Sequence, residues 1–484
     1  MNPRSLLRGL VACAALAAAV ASAPAQAQDF SRYVSLGDSL TAGFMSAGLI
    51  DEVQRNDYPA LLAKAMGKTD FQQPLVSSPG IPALLDLVSA RPVLIRAVSG
   101  QGRPTNLTLA RPYDNLAVPG FRVHDVRMNP TTNPLVSFIL RPTGFQNASA
   151  LQQALLLRPT FVSLWIGNND VLGAATSGIV IDGVTLTPVA QFEADLRAIV
   201  GALRGAGAQL VMANIPDVGG IPFVKTIPPV VVNPATNQPV LVNGAPVRLI
   251  GPNGPLALTD RVLLTASAVL ATGTGIPRGI GNGNGNPLGD QYVLNGAEQA
   301  AISARVAAYN NVIQTVANEA GAALVDMHRV FDEVANEGLE IAGVNFSEDF
   351  LTGGVFSYDG VHPTPFGYAF IANEFIKAIN AKFGSKLQQV DLFPFTFGPT
   401  GAAGTFEGIS AATGQLVYGN AAYEQLRRSL NVPPTKTLLD LARRQPHGNG
   451  GGGGNPGGAP PAPPTGGGRG NDTPRGGRGG HNDG

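Results

Sequence analysis

Along the chain, short apolar runs alternate with amphipathic stretches, and most of them close on a glycine. Arg32–Leu36 alternates, is rich in strand-forming residues and stops at Gly37, which predicts a first strand running into a tight turn. Phe161–Ile166 is continuously apolar up to Gly167, as in a strand buried on both faces of a parallel sheet. Gln209–Asn214 and Ala323–Asp326 predict two more strands. Between them lie helical stretches at Tyr58–Met66, Gln191–Leu203, Glu298–Ala320 and Pro365–Phe383, followed by Gly67, Gly205, Gly321 and Gly384. Strands alternating with helices predict an α/β domain with a mostly parallel sheet.

Two stretches interrupt the alternation. Residues 72–113 are rich in Pro, Gly and Ser. Residues 216–296 repeat Pro, Val and Asn, and Pro228–Val232 suits a small β-hairpin. Long insertions at the C-terminal edge of a parallel sheet shape a ligand site as often as they are passive excursions.

The ends have a different composition. Arg4 and Arg8 precede an apolar run from Leu10 to Ala23, and Ala25-Gln26-Ala27 has the small-x-small form of a cleavage site. This predicts a secretory signal peptide over residues 1–27 and export to the periplasm or the medium. Leu10-Val11-Ala12-Cys13 resembles a lipobox, but Arg8 leaves almost no apolar segment before Cys13, which argues against a lipid anchor. Cleavage near Ala27 would leave no cysteine, hence no disulfide and no thiol nucleophile. From His447 onward the chain is nearly all Gly, Pro, Asn, Arg and Asp, which predicts a disordered tail over 447–484. Residues 385–446 form a weakly patterned C-terminal extension with a short helix expected at Leu438–Arg443. Over all 484 residues the formal net charge is +0, so no basic field points to nucleic acid.

Three pieces of chain carry candidate chemistry. Ser39 lies in Gly37-Asp38-Ser39-Leu40, directly after the first strand. On a strand-to-helix turn its hydroxyl projects at the sheet edge as a nucleophile; equally, it would cap the following helix. In Asp359-Gly360-Val361-His362-Pro363 an acid and an imidazole stand three residues apart, close enough to meet on one turn. A serine hydroxyl needs such a base, and the base needs a carboxylate to orient it. Pro363 fits the first turn of the last helix. Of the five histidines, His447 and His481 lie in the tail, and Asp326 with His328 is a second pair of structural character. Gly167-Asn168-Asn169-Asp170 follows the Trp165 strand, and Gly120 closes Asn115–Pro119. The Asn169 amide and the Gly120 and Ser39 N–H groups are candidate donors for an oxyanion hole, with helix caps and a turn as the plain alternatives. No His-Glu-x-x-His and no Cys/His cluster occurs, so no metal or other cofactor is expected.

Taken together, Gly37–Leu40, Gly120, Gly167–Asp170 and Asp359–His362 resemble, in order, the successive blocks of the GDSL/SGNH hydrolase family. The resemblance runs from about Tyr33 to Gly384. It implies a flavodoxin-like three-layer α/β/α domain over 28–384, with about five parallel strands and the two stretches above as insertions. It implies Ser39 as nucleophile, His362 as general base and Asp359 as orienting acid. Ser39, Gly120 and Asn169 would form the oxyanion hole. The expected activity is hydrolysis of a small or lipid-like carboxylic ester through an acyl-enzyme, and a lipid-like substrate would bring transient contact with a membrane or lipid surface. Two alternatives stand beside it: an O-acetyl esterase acting on polysaccharide or peptidoglycan, and a non-catalytic surface or carbohydrate-binding protein on the same scaffold.

Overall fold

The computed structural model describes residues 28–90, 93–128, 133–341, 343–396 and 416–445. The signal-peptide, Cys13 and tail expectations lie outside these residues. The described chain up to Arg444 belongs to one compact unit.

Four parallel strands form the central sheet: β1 (Tyr33–Gly37), β2 (Phe161–Trp165), β3 (Gln209–Ala213) and β4 (Ala323–Val325). They lie side by side in that order, with Tyr33 opposite Phe161 and Phe161 opposite Gln209. All of β1 and β2 is buried, as the continuous apolar run of β2 requires; β1, whose sequence alternates, is covered on both faces as well. Their buried polar groups satisfy one another: Tyr33 Oη lies 2.8 Å from Ser163 Oγ, and Ser35 Oγ donates to it at 2.9 Å.

The sequence reading expects about five strands. The fifth place, beside β1, is held by a single parallel bridge between Ser35 and Asn115. Ser35 N donates to Asp114 O and Leu116 N to Ser35 O before Val118–Phe121 turns away. Counting that segment, the order is 2-1-3-4-5, that of the flavodoxin-like fold.

The longer helices among the described residues include α1 (Tyr58–Ala65), α2 (Asn169–Ser177), α3 (Val189–Gly205), α4 (Gly296–Ala320), α5 (Pro365–Phe383) and α6 (Asn420–Ser429). α1 packs on α5, and α3 packs on α4. Tyr58 stacks on Phe375 at 4.5 Å in the first pair, and Phe192 on Tyr309 at 4.1 Å in the second. α4 starts in a capping box, with Asn295 and Glu298 bonding each other's backbone N–H, and ends at Gly321 with φ +64°. α5 starts at Pro365 because the Thr364 hydroxyl caps it; Pro363 therefore stands outside the first turn, contrary to expectation.

The insertions carry small β elements. Leu85–Ala90 and Val93–Ala97 form an antiparallel ribbon, and Leu416–Tyr418 adds a parallel strand to it. Residues 232–255 contain three two-residue ladders, which is the hairpin character expected there. Thr435–Arg444 is helical, as the apolar spacing near Leu438 suggests. α6 has no counterpart in the sequence reading, because only Ala422 and Leu426 supply its fully buried apolar face.

Candidate active site

The four motif blocks meet at the C-terminal ends of β1 and β2, the usual ligand edge of such a sheet. Gly37 ends β1 where a Cβ would stand 2.1 Å from Thr41 Oγ1 and 2.4 Å from Trp165 O, so only glycine fits. The chain then makes one helical turn, with Ala42 N donating to Asp38 O and Phe44 N to Ser39 O. No helix continues from it, contrary to expectation, because Gly43 turns to φ +70°. Ser39 therefore caps no helix. It is buried at 3% exposure.

Buried hydrogen bonds tie this turn to the other blocks. Asn168 Nδ2 donates to Asp38 Oδ2 at 2.9 Å, and Leu40 N donates to Asp38 Oδ1 at 3.0 Å. Burial pushes the Asp38 carboxyl up to about 6, against the pull of the Asn168 bond. Asn169 opens α2 without capping it; its Nδ2 donates to Phe121 O at 3.0 Å. Asp170 Oδ2 accepts from Val123 N at 3.0 Å, and burial raises that carboxyl to about 7. Asn169 and Asp170 thus brace the turn that follows Gly120. Gly120 itself has φ +83°, and a Cβ there would lie 2.5 Å from Ser429 O at the end of α6.

The acid and the imidazole meet on one turn. His362 Nδ1 and Asp359 Oδ2 are 2.8 Å apart, and both residues are fully buried. Asp359 Oδ2 also accepts from Ala47 N at 2.7 Å; Oδ1 accepts from His362 N, Val361 N and Ser357 Oγ. Burial pushes this carboxyl up, but the facing imidazole and the hydrogen bonds from His362 and Val361 outweigh it, and Asp359 sits below the ordinary aspartate value. The His362 ring packs edge-on against Phe44, five residues past Ser39, at 4.9 Å. Its Nε2 is buried with no hydrogen-bond partner. An imidazole held through Nδ1 by an anion, with Nε2 unpaired, can accept a proton at that nitrogen.

Asp326 and His328 do not pair: Asp326 caps the following helix, and His328 Nδ1 meets Asp332 at 3.1 Å. A further imidazole, His124, reaches Asp195 at 3.0 Å, but Arg127 shares that carboxylate. Sequence reasoning missed Ala47 and Ser357. Ala47 contributes a backbone N–H, which no residue pattern marks.

The model of the family described as GDSL-like Lipase/Acylhydrolase matches residues 33–375. Comparison with curated proteins finds no match. Among solved structures, a lipase/acylhydrolase from Enterococcus faecalis is 14% identical with a TM-score of 0.30, covering 74% of this chain and 100% of its own. A catalytic mutant of an acetylxylan esterase from Geobacillus stearothermophilus is 12% identical with a TM-score of 0.32, covering 74% and 96%. On the family match, which spans most of the chain, this protein belongs to the GDSL-like lipase/acylhydrolase family and is an ester-hydrolysing enzyme.

Proposed function

We propose that the protein is an exported serine esterase that cleaves small carboxylic esters by two-step acyl transfer. Ser39 Oγ attacks the ester carbonyl while His362 Nε2 takes its proton. The oxyanion rests on the N–H groups of Ser39 and Gly120 and the free hydrogen of the Asn169 amide. The C–O bond to the alcohol breaks, and the alcohol leaves with the proton from His362. Water, deprotonated by the same nitrogen, then releases the acid. Asp359 stays ionised and holds the imidazole in the tautomer that leaves Nε2 free.

The observation that carries this reading is the His362–Asp359 pair, buried, 2.8 Å apart, with Nε2 unpaired beside the Ser39 loop. The Arg4–Ala27 segment supports export. The test is Ser39→Ala on the mature chain. It should abolish turnover of p-nitrophenyl acetate and labelling by a fluorophosphonate, with the circular dichroism unchanged. Full turnover in that variant would reject the assignment.

A further inference from the structure

The turn after the nucleophile block contains two adjacent non-glycine residues in the left-handed region, Ser46 at φ +48° and Ala47 at φ +57°. Each such residue is strained and persists only when its surroundings hold it. Both are buried, Ala47 completely. What the strained turn delivers is the Ala47 N–H, which meets Asp359 Oδ2 at 2.7 Å, the same oxygen that faces His362 Nδ1 at 2.8 Å.

Backbone bonds close the turn, Met45 and Gly48 exchanging N–H donors at 3.0 Å and Leu85 N donating to Ser46 O at 2.7 Å, and side chains clamp it from two sides. On one side the acid loop does so: Ser46 N donates to Ser357 Oγ at 2.9 Å, and Tyr358 N to Ser46 Oγ at 3.3 Å. On the other side stands α6. Gln425 Nε2 donates to Ala47 O at 3.1 Å and to Ala83 O at 2.6 Å. One hydrogen of the amide thus holds the carbonyl of the residue whose N–H serves the acid, and the other ties the amide to Ala83. Gln425 lies outside residues 33–375, the span of the family match.

We propose that Gln425 of the C-terminal helix is a positioning residue for hydrolysis, acting through Ala47 on Asp359 and thence on His362. The inference rests on the proposed roles of Asp359 and His362. The C-terminal extension then belongs to the catalytic apparatus. Without the amide, the turn keeps its backbone closure and the acid-loop bonds but loses the hold on the Ala47 carbonyl, and the Ala47 N–H sits less firmly on the carboxylate. Asp359 then holds the imidazole less exactly in place, and with that donor weakened it favours the imidazolium more strongly. Asp38, Tyr368 and Tyr418, the other titratable groups acting on the pair, are unchanged by the substitution.

The test is Gln425→Met, which keeps the length and loses both donors. Turnover of p-nitrophenyl acetate is measured across pH in the full mature chain and normalised to sites labelled by a fluorophosphonate. The expected result is about a tenfold fall in kcat per labelled site, little change in KM, and a shift of the acidic limb of kcat/KM to higher pH. A purely structural role would lower the number of labelled sites and leave kcat per site and the limb in place; that result overturns the proposal. Arg428→Ala, on the exposed side of the same helix, should match the wild type, and an equal loss there also overturns it. If Gln425→Met does not fold, Gln425→Asn, which withdraws the amide by one methylene, carries the same expectation. A wild-type protein that takes no label at Ser39 would instead refute the proposed function.

Discussion

Asp359→Asn separates an orienting acid from a structural one. The wild-type carboxylate accepts five hydrogen bonds and donates none: Ala47 N and His362 Nδ1 on Oδ2, and Val361 N, His362 N and Ser357 Oγ on Oδ1. An asparagine is isosteric but must present an NH2 at one of the two positions. At Oδ1 it would confront two backbone N–H groups in a tight turn; at Oδ2 it would confront one, plus an imidazole that can change tautomer. The second arrangement costs less. The amide then faces Nδ1, which becomes the acceptor, and the proton moves to Nε2. That nitrogen can no longer take a proton from Ser39. The expected loss of kcat is about 10⁴-fold, equivalent to ~5.5 kcal/mol.

Stability should fall far less. One fixed N–H, that of Ala47, is left facing another donor in a buried site, at roughly 1–3 kcal/mol. The drop in Tm is then only several degrees. Because the Asp359 value is depressed, its stabilisation is present above the ordinary carboxylate range and is lost only as pH falls through its lower folded value. The wild type is therefore unaffected by this group between pH 5 and 9, and the comparison can be made at pH 8. The assay pairs p-nitrophenyl acetate turnover with thermal unfolding of the same samples. A kcat within tenfold of wild type, with Tm lowered, would refute the tautomer argument and leave Asp359 a structural residue.

Two further outcomes are expected. Asn169→Ala removes an amide fixed on Phe121 O at 3.0 Å and should reduce kcat about a hundredfold, roughly 3 kcal/mol, with KM nearly constant; a rate within threefold of wild type removes Asn169 from the hole. Asp170, raised by burial from 3.8 to about 7, binds its proton more tightly in the folded state, so its contribution lowers stability as pH rises through that window. Asp170→Asn should therefore shrink the fall in Tm between pH 5 and pH 8, and an unchanged fall would show that this carboxyl does not titrate in the fold.

Much of the scaffold was legible because burial leaves a one-dimensional trace. β2 is covered on both faces, so its residues read as an apolar run, and β1 shows as an alternating strand-prone stretch stopped by Gly37; α4 and α5 end where a glycine takes a left-handed conformation. The His362–Asp359 contact was legible because three residues of one turn span it. By itself the sequence determined the α/β alternation, the order of the motif blocks and the pairing of acid with imidazole. What it could not determine rests on groups that every residue carries or on partners far along the chain. The Ala47 N–H is backbone, its strained φ is imposed by neighbours, and Gln425 is 378 residues from the carbonyl it holds. The fifth strand place shrank to one bridge at Asn115, and the turn after Ser39 never became a helix. These were settled by packing at the sheet edge, where close approach of distant segments outweighs local preference.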